Sequence, residues 1–289
     1  MGRARELLKL VKVRFTERSV AFVWSTVIGL LVASAGVFDP LKLLYAFLTS
    51  FLVGTAVYVY NDVMDYEFDK ISKVNRPIAT DNVTREEALI VVLMLLLPGF
   101  LLSALINIET LLLSVAFFTL GFLYSTPPIR LKDRFLSKQL ITATGGFICS
   151  LIGGSIVQTI SIQVVYLGFI FFMILFSGSP LFDLPDLEGD RAGKVKSITV
   201  LYGPRFAIKF AIAGFSSLIV ITALIYQYLG FNVLMPITLS FGTLLFIWFA
   251  YGLLNNWQNI SYCRKTIKKY IIVNFLLQFS FVLGVLPIV

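Results

Sequence analysis

Two groups of aspartates with the same spacing are the residues of this sequence best suited to chemistry. In each group three aspartates follow the pattern Asp-x-x-Asp-x-x-x-Asp, and each group comes directly after a long apolar run. The six residues are Asp62, Asp65, Asp69, Asp183, Asp186 and Asp190. A carboxylate costs up to about 2.5–3.5 kcal/mol at the centre of a membrane and less near its edge. Two such groups in an apolar chain therefore indicate a function.

Helical geometry separates these aspartates from the glutamates beside them. At 100° per residue, the first three aspartates and Asn61 fall within an arc of about 100°, whereas Glu67 points away. The aspartates of the second group fall within about 60°, and Glu188 lies off that stripe. Because Pro185 and Gly189 interrupt the second group, we expect a broken or terminal helix there. A solvated surface role is favoured for both glutamates.

The two stripes predict a magnesium site. Neighbouring carboxylates repel one another and resist ionisation unless a cation compensates them. Oxygen ligands without His or Cys favour a hard cation, and Mg²⁺ is commonly shared between carboxylates and substrate phosphates. The outer aspartates of one group lie about 10 Å apart along a helix, too far for one ion. We therefore expect two or three Mg²⁺ ions bridged by a diphosphate. The predicted metal ligands are Asn61, Asp62, Asp65, Asp69, Asp183, Asp186 and Asp190.

Basic and hydroxyl side chains follow the aspartates. The cations after the two groups are Lys70, Lys73, Arg76, Arg191, Lys194 and Lys196. Between the groups, residues 124–132 read Tyr-Ser-Thr-Pro-Pro-Ile-Arg-Leu-Lys, in which two prolines end a helix and the other side chains offer phosphate donors. Acids interleaved with Arg and Lys indicate a metal–polyphosphate site. For any single cation, a role in membrane topology stays open.

Composition places the chain in the membrane. Of its 289 residues 58% are hydrophobic and 14% charged, against about a quarter charged in soluble domains. The absence of histidine excludes His-based triads and haem ligation by His. The two cysteines, Cys149 and Cys263, have no disulfide or zinc spacing. The basic residues that give the net charge of +8 lie between apolar spans, so membrane topology explains them better than nucleic-acid binding does.

Hydropathy predicts an all-α bundle of about nine transmembrane helices in one membrane-embedded domain, 1–289, with an amphipathic N-terminal segment, 1–18. The spans are expected at about 19–37, 41–60, 87–106, 109–126, 139–158, 163–181, 205–228, 232–254 and 269–287. Of the 24 Lys and Arg, all except Lys42 fall in the N-terminal segment or near alternate loops. This bias predicts a cytoplasmic N-terminus, an external C-terminus and an active site at the cytoplasmic helix ends.

Four motifs, in this order, resemble the UbiA superfamily of intramembrane prenyltransferases. They are Asn61-Asp62-x-x-Asp65-x-x-x-Asp69, Asn75-Arg76-Pro77-Ile78, Tyr124-Ser125-x-Pro127-Pro128-x-Arg130-x-Lys132 and Asp183-Leu-Pro-Asp186-Leu-Glu-Gly-Asp190. The nine-helix layout of the superfamily covers the whole chain.

The resemblance implies Mg²⁺-dependent transfer of an isoprenoid chain from its diphosphate to a lipophilic acceptor. The six aspartates would be catalytic through the metal ions, and ionisation of the donor would give an allylic carbocation. The residues expected to contact the diphosphate are Arg14, Arg76, Tyr124, Ser125, Arg130, Lys132 and Lys194. Aromatic acids, quinone precursors, chlorin or haem rings and prenylated glycerol phosphates all stay open as acceptors.

Two departures from the superfamily pattern concern the donor pocket or the acceptor. Residues 79–81 read Ala-Thr-Asp where relatives often have a small residue and Gly, and Phe182 stands where many carry Lys. The helix that follows still has a capping-box signal from Thr84 to Glu87. The alternative function is a cation-coupled transporter, whose acids would lie near the membrane midplane in interrupted helices.

Overall fold

A computed structural model describes residues 2–71, 75–192 and 195–287, and the regular elements in these ranges are helices, with no strand. The α-helices are α1 (Gly2–Arg14), α2 (Val20–Ala33), α3 (Pro40–Met64), α4 (Tyr66–Ile71), α5 (Arg85–Ile106), α6 (Ile108–Ser125), α7 (Ser137–Ser155), α8 (Ile162–Phe182), α9 (Leu187–Ala192), α10 (Ile198–Tyr202), α11 (Pro204–Ile225), α12 (Leu234–Asn256) and α13 (Ile260–Val285). Phe15–Ser19 form a turn of π-helix, and Leu131–Asp133 and Leu184–Asp186 form 3-10 turns.

Seven helical segments within the described ranges are long and apolar enough to cross a membrane. They are α3, α5, α6, α8 with its extension through α9, α11, α12 and α13. Among the other predicted spans, α2 is apolar but has 14 residues, and α7 is rich in Ser, Thr and Gly. The all-helical, multi-pass membrane architecture is confirmed, whereas the count of nine spans stays a prediction.

The chain groups into two compact units. The first unit comprises Met1–Leu30, Phe38–Leu131 and Ile148–Thr159, and the second comprises Leu31–Val37, Lys132–Phe147 and Ile160–Val289. The first aspartate group belongs to the first unit and the second group to the second unit. That the whole chain is a single domain stays a prediction.

In the first unit α3 packs against α1, α5 and α6. Leu10 of α1 is fully buried in this core, so the amphipathic N-terminal segment packs its apolar face on protein. The predicted capping box begins α5: the Thr84 hydroxyl accepts from the Glu87 backbone N–H at 3.3 Å, and the Glu87 carboxylate accepts from the Thr84 N–H at 2.8 Å. This cap fixes where the loop after the first aspartate group ends.

In the second unit α8 packs against α11 and α13, and α12 lies against both α11 and α13. The rings of Phe215, Phe246 and Tyr270 pack together in this core, with ring centroids 4.9–5.9 Å apart. The start of α7 runs antiparallel to α8, since Lys138 contacts Asp183 while the backbone of Gly146 lies against Phe171 further back on α8. The start of α7 and the end of α8 therefore both lie at the second aspartate group.

Candidate functional site

The first aspartate group lies at the junction of α3 and α4. The helical hydrogen bonds continue across it, from the Asp65 N–H to the Asn61 carbonyl at 2.9 Å and from the Asp69 N–H to the Asp65 carbonyl at 2.8 Å. Asp62 and Asp69 are buried and Asp65 is half-buried, whereas Glu67 is exposed. This burial pattern agrees with the stripe expected from a helix, which separates the aspartates from the glutamate.

Two arginines compensate the buried carboxylates of this group. Arg14, at the end of α1, is 2% exposed and forms a two-point ion pair with Asp62, which is also 2% exposed. Arg76 donates from Nη1 to Asp69 Oδ2 at 2.6 Å and to Asp62 Oδ1 at 3.3 Å. Because an unpaired buried charge is very costly, these guanidinium groups compensate the burial of both carboxylates.

The Tyr-Ser-x-Pro-Pro-x-Arg motif lies beside the same group. Asn61 donates from Nδ2 to the buried hydroxyl of Ser125 at 2.9 Å, and Arg130 donates from Nη2 to Asp65 Oδ1 at 2.9 Å. The peptide bond between Pro127 and Pro128 is cis, and Arg130 has φ +33°. Two motifs that are about 60 residues apart in sequence are thus joined by hydrogen bonds, as expected for parts of one site.

A hydrogen-bonded loop positions Arg76. Its carbonyl accepts from the Thr80 N–H at 2.9 Å, and Asp81 has φ +58° in the same loop. Asp81 accepts from the Tyr66 hydroxyl and the Lys70 ammonium, each at 2.7 Å. The hydrogen bond from Lys70 lowers the pKa of Asp81, and the same bond raises the pKa of Lys70. The side chain of Asp81 thereby ties the loop back to α4.

The second aspartate group begins where α8 ends. Asp183 is the C-cap of α8, a 3-10 turn containing Pro185 follows, and α9 starts after it, so the predicted break is confirmed. Asp183 is 5% exposed and accepts from Lys138 Nζ at 2.8 Å through Oδ1. Its other oxygen, Oδ2, is buried and has no hydrogen-bond partner among the described residues. A buried carboxylate oxygen of this kind needs a cation or a donor.

The other acids of the second group are less enclosed. Asp186 is largely exposed, with Arg264 Nη2 of α13 at 4.0 Å from its Oδ1. Asp190 is half-buried. Glu188 is exposed, as its off-stripe position predicted.

The sequence also predicts diphosphate contacts for Tyr124, Lys132 and Lys194. Tyr124 and Lys132 are both half-buried; Tyr124 lies in the last turn of α6 in the first unit, and Lys132 lies on a 3-10 turn in the second. Lys194 lies outside the described residues. The roles predicted for all these residues in binding metal and diphosphate stay predictions.

Sequence reasoning missed Lys138 and Arg264. Both side chains contact the second aspartate group, but neither belongs to one of the four motifs. In the sequence, each of these cations stands near the start of an apolar run. The charge bias of membrane proteins explains that position as well as a role in the site does.

The donor set fits a hard cation such as Mg²⁺. Every predicted ligand is an oxygen donor, and the unpartnered Oδ2 of Asp183 provides a buried acceptor for such an ion. In the first group the carboxylates are instead held by Arg14, Arg76 and Arg130. Across the described ranges, no three His, Cys, Asp or Glu side chains converge as a preformed metal site.

The fold and these aspartate and arginine groups define the class of protein, an integral membrane enzyme of the prenyltransferase type. The model of the UbiA prenyltransferase family matches residues 22–272. The chain belongs to this family, which confirms the resemblance seen in the four motifs. Family membership gives no support to the transporter alternative.

Individual relatives agree with this assignment. The digeranylgeranylglyceryl phosphate synthase of Thermococcus sibiricus is 30% identical over 261 residues, covering 89% of this chain and 91% of the relative. A solved structure from work on digeranylgeranylglyceryl phosphate synthase in membranes is similar with a TM-score of 0.76 and 26% identity, and covers 100% of both chains. A UbiA homologue from Archaeoglobus fulgidus, bound to GPP and Mg²⁺, has the same fold, with a TM-score of 0.71, 16% identity and coverage of 94% and 99%.

Proposed function

We propose that this enzyme transfers a prenyl chain from a prenyl diphosphate to the free hydroxyl of a glyceryl phosphate that already carries one prenyl ether. The observation that carries this proposal is the similarity to the Thermococcus sibiricus synthase along nearly its whole length. Of the acceptors left open by the sequence, a prenylated glyceryl phosphate is the one that the name of this relative contains.

Mg²⁺ is the proposed cofactor. The ligands would be the aspartates of both motifs and Asn61, and the buried Oδ2 of Asp183 is the observation on this chain that supports them. Bound Mg²⁺ would neutralise the negative charge that grows on the diphosphate as it leaves. The same fold holds GPP and Mg²⁺ in the Archaeoglobus fulgidus homologue, which supports this cofactor.

The arginines of the first unit have two proposed tasks. Without substrate, Arg14 and Arg76 form ion pairs with Asp62, and Arg130 forms one with Asp65. With substrate, the same guanidinium groups would donate to diphosphate oxygens, because a planar guanidinium matches phosphate geometry. The other residues proposed to contact the diphosphate are Tyr124, Ser125, Lys132 and Lys194.

Lys138 is proposed as a positioning residue in the second unit. Its ammonium holds one oxygen of Asp183 at 2.8 Å and thereby orients the other oxygen, which has no hydrogen-bond partner among the described residues. The cation also compensates the burial of this carboxylate, which is 5% exposed.

The proposed reaction breaks the bond between the allylic carbon and the diphosphate oxygen, and the electron pair leaves with the diphosphate. The hydroxyl oxygen of the acceptor then bonds to the allylic carbocation and loses its proton, which gives an ether. Donors that are already oriented toward the leaving oxygens lower the barrier, because they need no reorganisation during the reaction. The apolar helices would hold both prenyl chains.

The orientation proposed from the charge bias has the N-terminus and the aspartate groups on the cytoplasmic side, with nine spans and an external C-terminus. The unequal distribution of Lys and Arg supports this orientation. The shorter α2 and the less apolar α7 would be the two spans that hydropathy detects least well.

The proposed function is tested with the full-length protein in nanodiscs. Labelled geranylgeranyl diphosphate is supplied with a mono-prenylated glyceryl phosphate, a quinone precursor or an aromatic acid, with Mg²⁺ or with EDTA. We expect an ether product from the glyceryl phosphate alone, and only when Mg²⁺ is present. Product from an aromatic acceptor, or diphosphate release without transfer to any acceptor, would overturn the proposal.

A further inference from the structure

The start of α13 carries four cations within six residues. They are Arg264, Lys265, Lys268 and Lys269, all of them exposed on the side of the helix opposite the buried Cys263, Thr266 and Tyr270. The sequence has no Asp or Glu after Asp190, so this stretch has no acid on its own helix to neutralise it.

These cations form two stripes of like charge. Arg264 and Lys268 are four residues apart and lie on one line of the helix surface, about 6 Å apart along its axis. Lys265 and Lys269 are spaced in the same way, and like charges at this spacing destabilise a helix. The two stripes differ in their surroundings, because Lys269 Nζ lies 5.5 Å from the centre of the Phe249 ring. This cation–π contact draws Lys269 toward α12.

The first stripe lies next to the second aspartate group. Here α13 packs against the 3-10 turn Leu184–Asp186. Among the described residues, the ion pair formed by this stripe is the one from Arg264 Nη2 to Asp186 Oδ1, at 4.0 Å between two largely exposed side chains. One distant carboxylate leaves most donors of Arg264 and Lys268 available for an anion.

We propose that Arg264 and Lys268 bind the phosphate of the acceptor; this inference rests on the proposed function. A phosphomonoester carries nearly two negative charges and three acceptor oxygens, which suits a guanidinium fork and an ammonium one turn apart. On a glyceryl phosphate the reactive hydroxyl is only a few bonds from that phosphate. Binding the phosphate beside Asp186 therefore holds the hydroxyl near the second aspartate group, which is proposed to hold the diphosphate.

The same cations would also suit the anionic surface of a bilayer, so the experiment separates these two sources of phosphate. Full-length wild type, Arg264→Gln, Lys268→Gln and Lys269→Gln are assayed in nanodiscs of phosphatidylcholine and again with phosphatidylserine added. Each receives geranylgeranyl diphosphate and either the mono-prenylated glyceryl phosphate or the matching glycerol without phosphate.

We expect Arg264→Gln and Lys268→Gln to raise the KM for the phosphorylated acceptor about tenfold in both kinds of nanodisc, because each variant loses one charge-assisted hydrogen bond. The KM for the donor and the melting temperature stay unchanged. We expect wild type to use the glycerol without phosphate poorly, and the two variants to match wild type toward it. Lys269→Gln, the matched control from the second stripe, keeps the wild-type KM for the donor and for the phosphorylated acceptor.

Several results would overturn the inference. An equal rise in the KM for both acceptors would assign the cations a general structural role. A rise confined to nanodiscs with phosphatidylserine would show that the cations bind the bilayer surface instead. If wild type forms ether product and the Arg264 and Lys268 variants retain its KM, the phosphate site is wrong and the proposed function stands. If wild type forms no ether product, both proposals fail.

Discussion

Arg14 at the end of α1 forms a buried ion pair with Asp62 on α3, and each side chain is 2% exposed. The other end of the same helix is also attached, since Arg3 pairs with Glu87 and donates to the Asn82 carbonyl at 2.7 Å. The N-terminal helix therefore contacts both the first aspartate group and the loop that carries Arg76. It forms part of the candidate site rather than a separate surface segment.

Replacing Arg14 tests this relationship. Arg14→Met leaves the buried carboxylate of Asp62 with Arg76 alone, at 3.3 Å, and we expect a loss of about 3 kcal/mol in the free energy of unfolding. Arg3→Met, which breaks an exposed pair, should cost less than about 1 kcal/mol. Denaturant unfolding in detergent measures both. Equal stability of the two variants would show that the buried pair does not hold α1 in place.

A close approach between α2 and the end of α7 gives a second test within the first unit. A Cβ on Gly153 would collide with the Thr26 carbonyl and the Gly29 backbone. Gly153→Ala should therefore destabilise the protein by about 1–3 kcal/mol. Gly189 in α9 has nothing within 4 Å of its would-be Cβ, and Gly189→Ala should stabilise its helix by about 0.5–1 kcal/mol. Thermal unfolding of the two variants should shift in opposite directions, and a neutral Gly153→Ala would contradict the packing.

The helices were predictable from sequence because a membrane fixes both the length and the composition of a span. Each of the nine predicted spans coincides with a helix, and the errors lie at the ends. The first predicted span extends to residue 37, whereas α2 ends at Ala33, since Ala35 and Gly36 adopt φ +50° and +79° in a turn. Hydropathy does not register such a turn, because residues 34–37 include no charged side chain that would end the apolar run.

The candidate site was predictable in its residue types but not in its pairs. Periodicity separated the buried Asp62 from the exposed Glu67 within one short segment. The partner of Asp62 lies 48 residues away on α1, and the partner of Asp183 lies 45 residues away on α7. Such pairs depend on how helices pack, and several neighbouring cations were equally available to each carboxylate in the sequence.

The hydrogen bonds of Asp81 predict a pH effect on the loop that positions Arg76. Lys70 lowers the pKa of Asp81 in the folded protein, so this contribution to stability is present above the ordinary aspartate pKa. It is lost as the pH falls through the lowered value. Asp81→Asn keeps a residue type that tolerates φ +58° but removes the charge.

Melting temperatures of wild type and Asp81→Asn, measured from pH 7 down to pH 3, check this effect. We expect the variant to be less stable at neutral pH and the difference to shrink as the pH falls below the ordinary aspartate range. A difference that stays constant with pH would mean that the carboxylate charge of Asp81 does not stabilise the loop.

The contrast between Asp65 and Glu67 tests the role of the first aspartate group in catalysis. Asp65 is half-buried and bound to Arg130 at 2.9 Å, whereas Glu67 is exposed two residues later. Asp65→Asn removes the negative charge of a proposed metal ligand, and we expect prenyl transfer to fall by about 100-fold or more, as for other groups that stabilise charge in a transition state. Glu67→Gln should keep activity within about twofold, since substitutions on an exposed surface change little. Transfer from labelled geranylgeranyl diphosphate at saturating acceptor, measured across a range of Mg²⁺ concentrations, separates the two variants. Equal losses in both variants would contradict the distinction between Asp65 and Glu67 that the helical stripe predicts, and unchanged transfer by Asp65→Asn would show that the charge of Asp65 is not needed for catalysis.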